Sequence, residues 1–320
     1  MTKAEKMSKL FRYLKSGDLM PLYRYFLMKI IWPLFHRELS QRNAVKVMDE
    51  DWDYLIVLDA CRYDVFKKVV AGGTGYVISG GTSTPGWMMW NFGEKHKDVI
   101  YIAGNPHFAS AHLTKRLGFN PFYTVKEVWD YGWDSALKTV PPEQVTNAAL
   151  ETLRSFPEKR IIVHYMQPHH PYIADKELLE IDEGTYRSLD QLGAEGRKLT
   201  TPLRLAERGE LPVERVKKAY EENLRIVMKE VIRLERELPG RVVLTADHGD
   251  AFGEFGHYGH GGSLRMEALV KVPWVILKDG KKKSPHPEPG VERRKLQDRI
   301  TALKESGRLD KSPQNPLEEG

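Results

Sequence analysis

One cysteine, Cys61, occurs in 320 residues. An intramolecular disulfide is therefore excluded, and folding must rest on a packed core. No neighbouring motif marks Cys61 as an activated thiolate, and it reads as a small packing residue. Long apolar runs are missing too. The stretch from Phe26 to Phe35 is broken by Lys29 and Pro33 and is too short to span a bilayer. No small-residue cleavage pattern follows an apolar core, so a secretory signal is not expected. A large excess of one charge sign is missing: 49 Lys and Arg against 44 Asp and Glu leave a net charge of +5. The basic residues are spread out apart from Lys281-Lys282-Lys283 and Arg293-Arg294-Lys295, which argues against dedicated nucleic-acid binding.

What is present is the composition of an ordinary core-forming protein, 41% hydrophobic and 29% charged. The length suits one large α/β domain with appendages. Residues 1–50 are expected to form a basic and aromatic helical segment, 51–278 a catalytic domain, and 279–320 a charged linker, a short helix from Val291 to about Leu303, and a tail. Within the first segment, residues 9–37 interleave Phe11, Leu14, Leu22, Phe26, Ile30, Trp32 and Phe35 with Arg12, Lys15, Arg24, Lys29 and Arg37. Such a segment could lie in a membrane interface, or it could dock on the protein itself or on a second subunit. The expected location is the cytoplasm, at the inner membrane surface if the segment meets lipid.

The apolar runs 53–59, 76–78, 98–103, 160–165, 241–244 and 271–277 read as strands. Several are continuous rather than alternating, as in parallel strands buried on both faces. Pro273 suggests that the last is an edge strand or that the proline lies at its start. Val216, Tyr220, Leu224, Val227, Val231, Leu234 and Leu238 follow the three-four spacing of a long amphipathic helix over 213–238, which Pro239-Gly240 ends. Residues 119–140 look irregular and aromatic, and 175–212 look like an insertion or lid. The alternation of strands and helices predicts an α/β fold with a doubly wound, mostly parallel sheet and helices on both faces.

Chemistry-bearing residues recur where the strands end. Asp59 closes the first. Ser83 and Thr84 precede Pro85, which is placed as the first residue of a helix. His107 follows the 98–103 strand, and His169 and His170 sit in a proline-bounded loop after the 160–165 strand. Asp247 and His248 close the 241–244 strand, and His260 lies just beyond. In open α/β sheets the binding crevice lies outside the strands' carboxyl ends. A carboxylate beside a neutral imidazole is a mixed metal-ligand pair. A hydroxyl at a helix N-terminus beside a metal is a candidate nucleophile. Helix capping is the plain structural role for Asp59, Ser83 and Thr84. His164, inside its strand, reads as a packed core residue.

These motifs resemble the sulfatase-like branch of the alkaline phosphatase superfamily. Ile56 to Asp64 is similar to its opening strand and acidic motif, and Ser83-Thr84-Pro85-Gly86-Trp87 to its nucleophile motif. Gly104-Asn105-Pro106-His107 is similar to its Gly-Lys-any-His element, and Pro168-His169-His170-Pro171 to its Pro-His-any-Pro loop. The run Thr245 to Asp250, with Gly253-Glu254 and Gly259-His260, resembles its closing metal motif. The resemblance covers about Asp53 to Leu277. It implies that Asp59, Ser83, Asp247, His248 and His260 hold metal, and that Ser83, with Thr84 as rival, is the nucleophile. His169 and His260 would then act on the substrate anion or hold a second metal, and His107 would bind substrate.

Three departures stand out: Ala60 replaces a second acid, Trp87 replaces the motif's arginine, and the nucleophile is not cysteine. Fewer oxygen ligands and more imidazoles favour Zn²⁺ or Mn²⁺, one or two ions, over Ca²⁺ or Mg²⁺. The expected activity is metal-dependent hydrolysis or transfer at a phosphoester, with an anionic ester as substrate. The alternatives are a sulfatase, which needs an oxidised Ser83, and a non-catalytic, membrane-associated descendant of the fold.

Overall fold

The computed structural model describes residues 37–70, 75–184, 199–262 and 264–280. The basic and aromatic segment expected over 9–37 and the expected helix after Val291 lie almost wholly outside these residues.

Among the described residues nine strands form: β1 Tyr54–Asp59, β2 Gly75–Ile78, β3 His96–Ala103, β4 Phe122–Lys126, β5 Arg160–Pro168, β6 Val242–Ala246, β7 Ala251–Phe252, β8 Tyr258–Gly259 and β9 Lys271–Lys278. The helices are α1 Tyr63–Val70, α2 Thr84–Asn91, α3 Ser110–Leu117, α4 Val128–Tyr131, α5 Pro142–Ser155, α6 Lys176–Ile181, α7 Pro202–Glu207, α8 Val213–Glu237 and α9 Glu267–Val270.

Seven strands make one sheet in the order β2-β9-β6-β1-β5-β3-β4, and β7 pairs with β8 apart from it. The β1, β3, β4, β5 and β6 pairings are parallel, and β9 runs antiparallel to both its neighbours. The central strand β1 and its neighbours β5 and β6 are buried along their whole lengths, which explains their continuous apolar sequences. β9 is not the edge that Pro273 suggested, because β2 covers it. Its register with β6 stops at Thr245↔Trp274, so Pro273 lies outside that ladder, where its missing N–H breaks no pairing with β6. The irregular 119–140 stretch contains a strand after all: β4 closes the far edge of the sheet against β3.

Side chains alternate across the sheet, and β5 shows what each face carries. Tyr165 points to one face, where its Oη lies 2.8 Å from Thr146 Oγ1 of α5. His164 points to the other, where its ring meets Trp87 of α2 edge-on at 6.1 Å. Helices thus cover both faces. α8 packs on α5 and β5, and every apolar residue expected on its inner stripe is buried. Residues just before β1 belong to the same body. Leu39 and Val47 are buried, Val47 N–H donates to Asn91 Oδ1 at 2.8 Å, and Trp52 Nε1 donates to the Val47 carbonyl at 2.6 Å.

Parallel register brings three strand ends to one edge. Val57 of β1 pairs with His164 of β5 and with Thr245 of β6. Asp59 and Asp247 lie two residues beyond Val57 and Thr245, so the period of two places both on His164's face.

Candidate metal centre and active site

The two acids are fully buried and share one set of neighbours. Asp247 Oδ1 accepts the N–H of Ala60 at 3.0 Å and of His248 at 2.8 Å, and its Oδ2 accepts the Thr84 hydroxyl at 2.8 Å. His248 Nδ1 donates to the Gly249 carbonyl at 3.0 Å. Its Nε2 therefore keeps a lone pair, 3.3 Å from Thr84 Oγ1, 3.4 Å from Asp247 Oδ2 and 3.9 Å from Asp59 Oδ1. Asn105 Nδ2 holds Asp59 Oδ2. Gly249 must lack a side chain, since a Cβ there would come within 2.1 Å of the Ala268 carbonyl oxygen. Gly81 is bound in the same way: its Cβ would stand 2.2 Å from the Trp87 nitrogen, so the loop can lie flat on the start of α2.

Electrostatics separate the acids. Burial, reinforced by the Asp247 charge, pushes the Asp59 carboxyl up against the pull of the Asn105 hydrogen bond. Burial also opposes ionisation of Asp247, but His248, His164, the Ala60 N–H and the Thr84 hydroxyl outweigh it and hold that carboxyl down. His164 is 0% exposed, and burial lowers its pKa to about 4. Its Nδ1 lies 2.7 Å from Tyr101 Oη, while its Nε2 has no hydrogen-bond partner and stands 3.9 Å from both Asp59 Oδ2 and Asp247 Oδ2. Two carboxylates with imidazole nitrogens turned toward them and a hydroxyl alongside fit a divalent cation.

Beside this cluster lies a second one. His260 Nδ1 donates to Asp250 Oδ1 at 2.7 Å, and His169 Nδ1 donates to the His170 carbonyl at 2.7 Å. The His169 and His260 rings are 5.2 Å apart, and His248 and His260 are 4.5 Å apart. His260 is partly exposed; the burial of its inner side pushes it down, but the Asp250 carboxylate more than reverses this and leaves it raised. Burial, then His170 and His260, push His169 well down. His169, Asp250 and His260 could hold a second cation or grip an anion.

Both clusters open on a cavity of about 360 Å³ whose walls include Asp59, Thr84, Asn105, His107, His169, Asp250 and His260. Its outer wall comes from the 175–212 stretch, through Gly184, Leu199, Thr201, Leu203, Arg204 and Glu207. No residue of 119–140 lines it. Burial takes His107, on this wall, down to about 3, and its Nδ1 has no hydrogen-bond partner.

Of the residues singled out by sequence, Asp59, Thr84, Asp247, His248, His169, His260 and His107 come together. Ser83 does not. It is the N-cap of α2 with no side-chain capping bond, its φ of −164° is extended, and it is not among the cavity-lining residues. The hydroxyl that reaches the acids belongs to Thr84, one position on, because Thr84 is the first helical residue and turns inward. The two other departures serve the core and the backbone. Trp87 is 1% exposed and packs on Phe92 and Phe108. Ala60, at φ 56°, turns its N–H onto Asp247 and its carbonyl onto Tyr220 Oη.

Sequence reasoning passed over three contributors. Asn105 and Asp250 sit inside motifs already noticed. His164 reads in sequence as packed core, and the parallel register of β1, β5 and β6 puts it on the face that carries Asp59. Cys61 is a free, buried packing residue, as read.

No family model matches the chain, and no curated protein matches it. Solved structures similar to it include the integral membrane protein lipooligosaccharide phosphoethanolamine transferase A from Neisseria meningitidis, at 14% identity and TM-score 0.46, over 69% of this chain and 46% of that one. Another is the C-terminal periplasmic domain of EcEptC from Escherichia coli in complex with Zn, at 13% identity and TM-score 0.39, over 69% of this chain and 71% of that one. A third is a protein of the alkaline phosphatase superfamily from Vibrio parahaemolyticus, at 12% identity and TM-score 0.38, over 77% of this chain and 64% of that one. The chain thus spans under half the length of the first. These descriptions give the expected cytoplasmic location no support. No described helix is long and apolar enough to cross a membrane.

Proposed function

We propose that the protein is a metal-dependent hydrolase or group transferase acting on phosphoesters, with Thr84 as nucleophile. The observation that carries this reading is the Thr84 hydroxyl, buried at the N-terminus of α2, 2.8 Å from Asp247 Oδ2 and 3.3 Å from His248 Nε2, on the wall of the cavity.

Asp59, Asp247, His248 and the Thr84 oxygen would hold the cation, and zinc or manganese suits that donor set. When bound, it supplies the positive charge that favours the alkoxide and offsets charge on a phosphoryl group. The remaining work falls to the chain. Asp247 orients the Thr84 hydroxyl and is placed to take its proton. The oxygen attacks phosphorus in line, the bond to the leaving alcohol breaks, and a phosphothreonine forms. His260, oriented by Asp250, and His169, oriented by the His170 carbonyl, line the cavity where the phosphoryl oxygens and the leaving group must lie. Protonated His260 is suited to donate to the leaving oxygen. Water or a second alcohol then takes the phosphoryl group, giving hydrolysis or transfer. Such a charged, loose transition state is stabilised by fixed donors and cations, which the cluster concentrates.

A sulfatase would require oxidation of Ser83, whose side chain does not line the cavity, so the phosphoester reading is preferred. Turnover of aryl phosphate and aryl phosphodiester, with and without chelator, tests the proposal. The expected result is metal-dependent turnover reduced at least 1,000-fold in Thr84→Ala and within about threefold of wild type in Ser83→Ala. The reverse ranking would return the nucleophile to Ser83, and turnover of aryl sulfate alone would overturn the phosphoester assignment.

A further inference from the structure

We propose that His164 is a ligand of the catalytic cation. The inference rests on the metal reading above, and it adds a ligand from inside the sheet that neither the motifs nor their resemblance assigns.

Position 60 is Ala, so the turn after β1 offers one carboxylate where two adjacent acids would offer two. The Ala60 N–H donates to Asp247, and its carbonyl accepts from Tyr220 Oη. A further donor comes from inside the sheet. His164 stands on β5 opposite Val57, on the face of the sheet that carries Asp59, and its Nε2 lies 3.9 Å from one oxygen of each acid. Two metal–ligand bonds of about 2.1 Å each span up to about 4.2 Å, so one cation can touch both the imidazole and either carboxylate.

Among the described residues nothing else claims this nitrogen. His164 is completely buried, its ring lies against Trp87, Tyr101 and Phe108, and its Nε2 has no hydrogen-bond partner. A buried polar atom without a partner is costly, and two carboxylates facing it make a cation the group that would satisfy all three. The other ring nitrogen is already held by Tyr101 Oη at 2.7 Å. With Nδ1 donating to that oxygen, Nε2 carries the lone pair that a metal requires, and Tyr101 becomes the outer-sphere partner that fixes the ring. The full donor set is then two carboxylates, two imidazoles and one hydroxyl oxygen. Two nitrogens favour zinc or manganese over the all-oxygen cations.

The test reads metal binding rather than turnover. Chelated full-length protein is titrated with Zn²⁺ alone, and the affinity is measured by competition with a chromophoric chelator for wild type, His164→Ala, His164→Leu and Tyr101→Phe. Circular dichroism and the metal-free melting midpoint report folding for each. The leucine variant fills the aromatic pocket, so it separates lost ligation from a collapsed cavity. X-ray absorption at one zinc per chain counts imidazoles in wild type and in His164→Leu, because the second cluster also offers two, from His169 and His260. The expected result is at least a 100-fold weaker Zn²⁺ affinity in both His164 variants, about tenfold in Tyr101→Phe, and one imidazole fewer on the zinc of His164→Leu. Folded His164 variants with wild-type affinity, or an unchanged imidazole count in His164→Leu, would overturn the assignment while leaving the metal centre intact. Absence of Zn²⁺ binding by the wild type would overturn the metal reading itself.

Discussion

At the scale of single residues, one buried acid is placed against its own solvation. Asp59 is 2% exposed, and burial together with the Asp247 charge pushes its carboxyl up. Such a group costs the fold, which a neutral isostere would serve better, and this fits the proposed role of Asp59 as a cation ligand. Asp59→Asn keeps the volume and removes the charge. In chelated protein at neutral pH this variant should melt about 2–4 °C higher, a gain of roughly 1 kcal/mol, while its Zn²⁺ affinity falls. A lower metal-free midpoint would show that the carboxylate serves the fold itself. The same scale shows what sequence could and could not tell. Asp59, Asp247 and His248 were legible because each ends a continuous apolar run. The choice between Ser83 and Thr84 was not, because one residue of helix phase decides which hydroxyl turns inward. His164 was hidden for a different reason: a histidine within an apolar strand looks like packing until the neighbouring strands are set in register.

Among elements, the doubly wound sheet was legible from its buried strands and from the amphipathic α8, while the shorter pieces were not. β4 escaped because Phe122 to Lys126 is short and neither continuous nor cleanly alternating. The stretch over 175–212 reads in sequence as an insertion or lid, and it contributes α6, α7 and the outer wall of the cavity. α6 starts at a defined cap. Asp175 Oδ1 accepts the Leu178 N–H at 3.0 Å, and the same carboxylate pairs with Arg215 of α8. Asp175→Ala should cost about 1 kcal/mol of stability. Burial tends to raise the Asp175 carboxyl, but the Arg215 and backbone hydrogen bonds lower it overall. A lowered folded-state pKa gives stability that is present above the ordinary aspartate range and is lost as pH falls through the folded value. Asp175→Asn keeps the cap and removes the titration. The stability difference between wild type and Asp175→Asn should therefore shrink below about pH 4, and a difference that persists unchanged to pH 2 would refute the assignment.

For the molecule as a whole, strand ends, the N-terminus of α2 and the loop after β6 meet at one edge of the sheet, so ligand and fold should be coupled. A cation that binds only the folded state adds about 2.7 kcal/mol at a free concentration one hundred times its Kd. For a domain of this size that is a rise of roughly 5–10 °C in the melting midpoint. Chelation should reverse it, and a midpoint indifferent to both zinc and chelator would mean that the cluster holds no structural or catalytic cation. Thr84, whose hydroxyl faces Asp247 and His248, is proposed to carry the phosphoryl group during turnover. The most direct measurement is peptide mass spectrometry of enzyme quenched in acid during turnover of an aryl phosphodiester, with fragmentation that separates Ser83 from Thr84. A phosphoryl adduct on Thr84, absent from Thr84→Ala, is the predicted result. An adduct on Ser83, or undiminished turnover by Thr84→Ala, would contradict it.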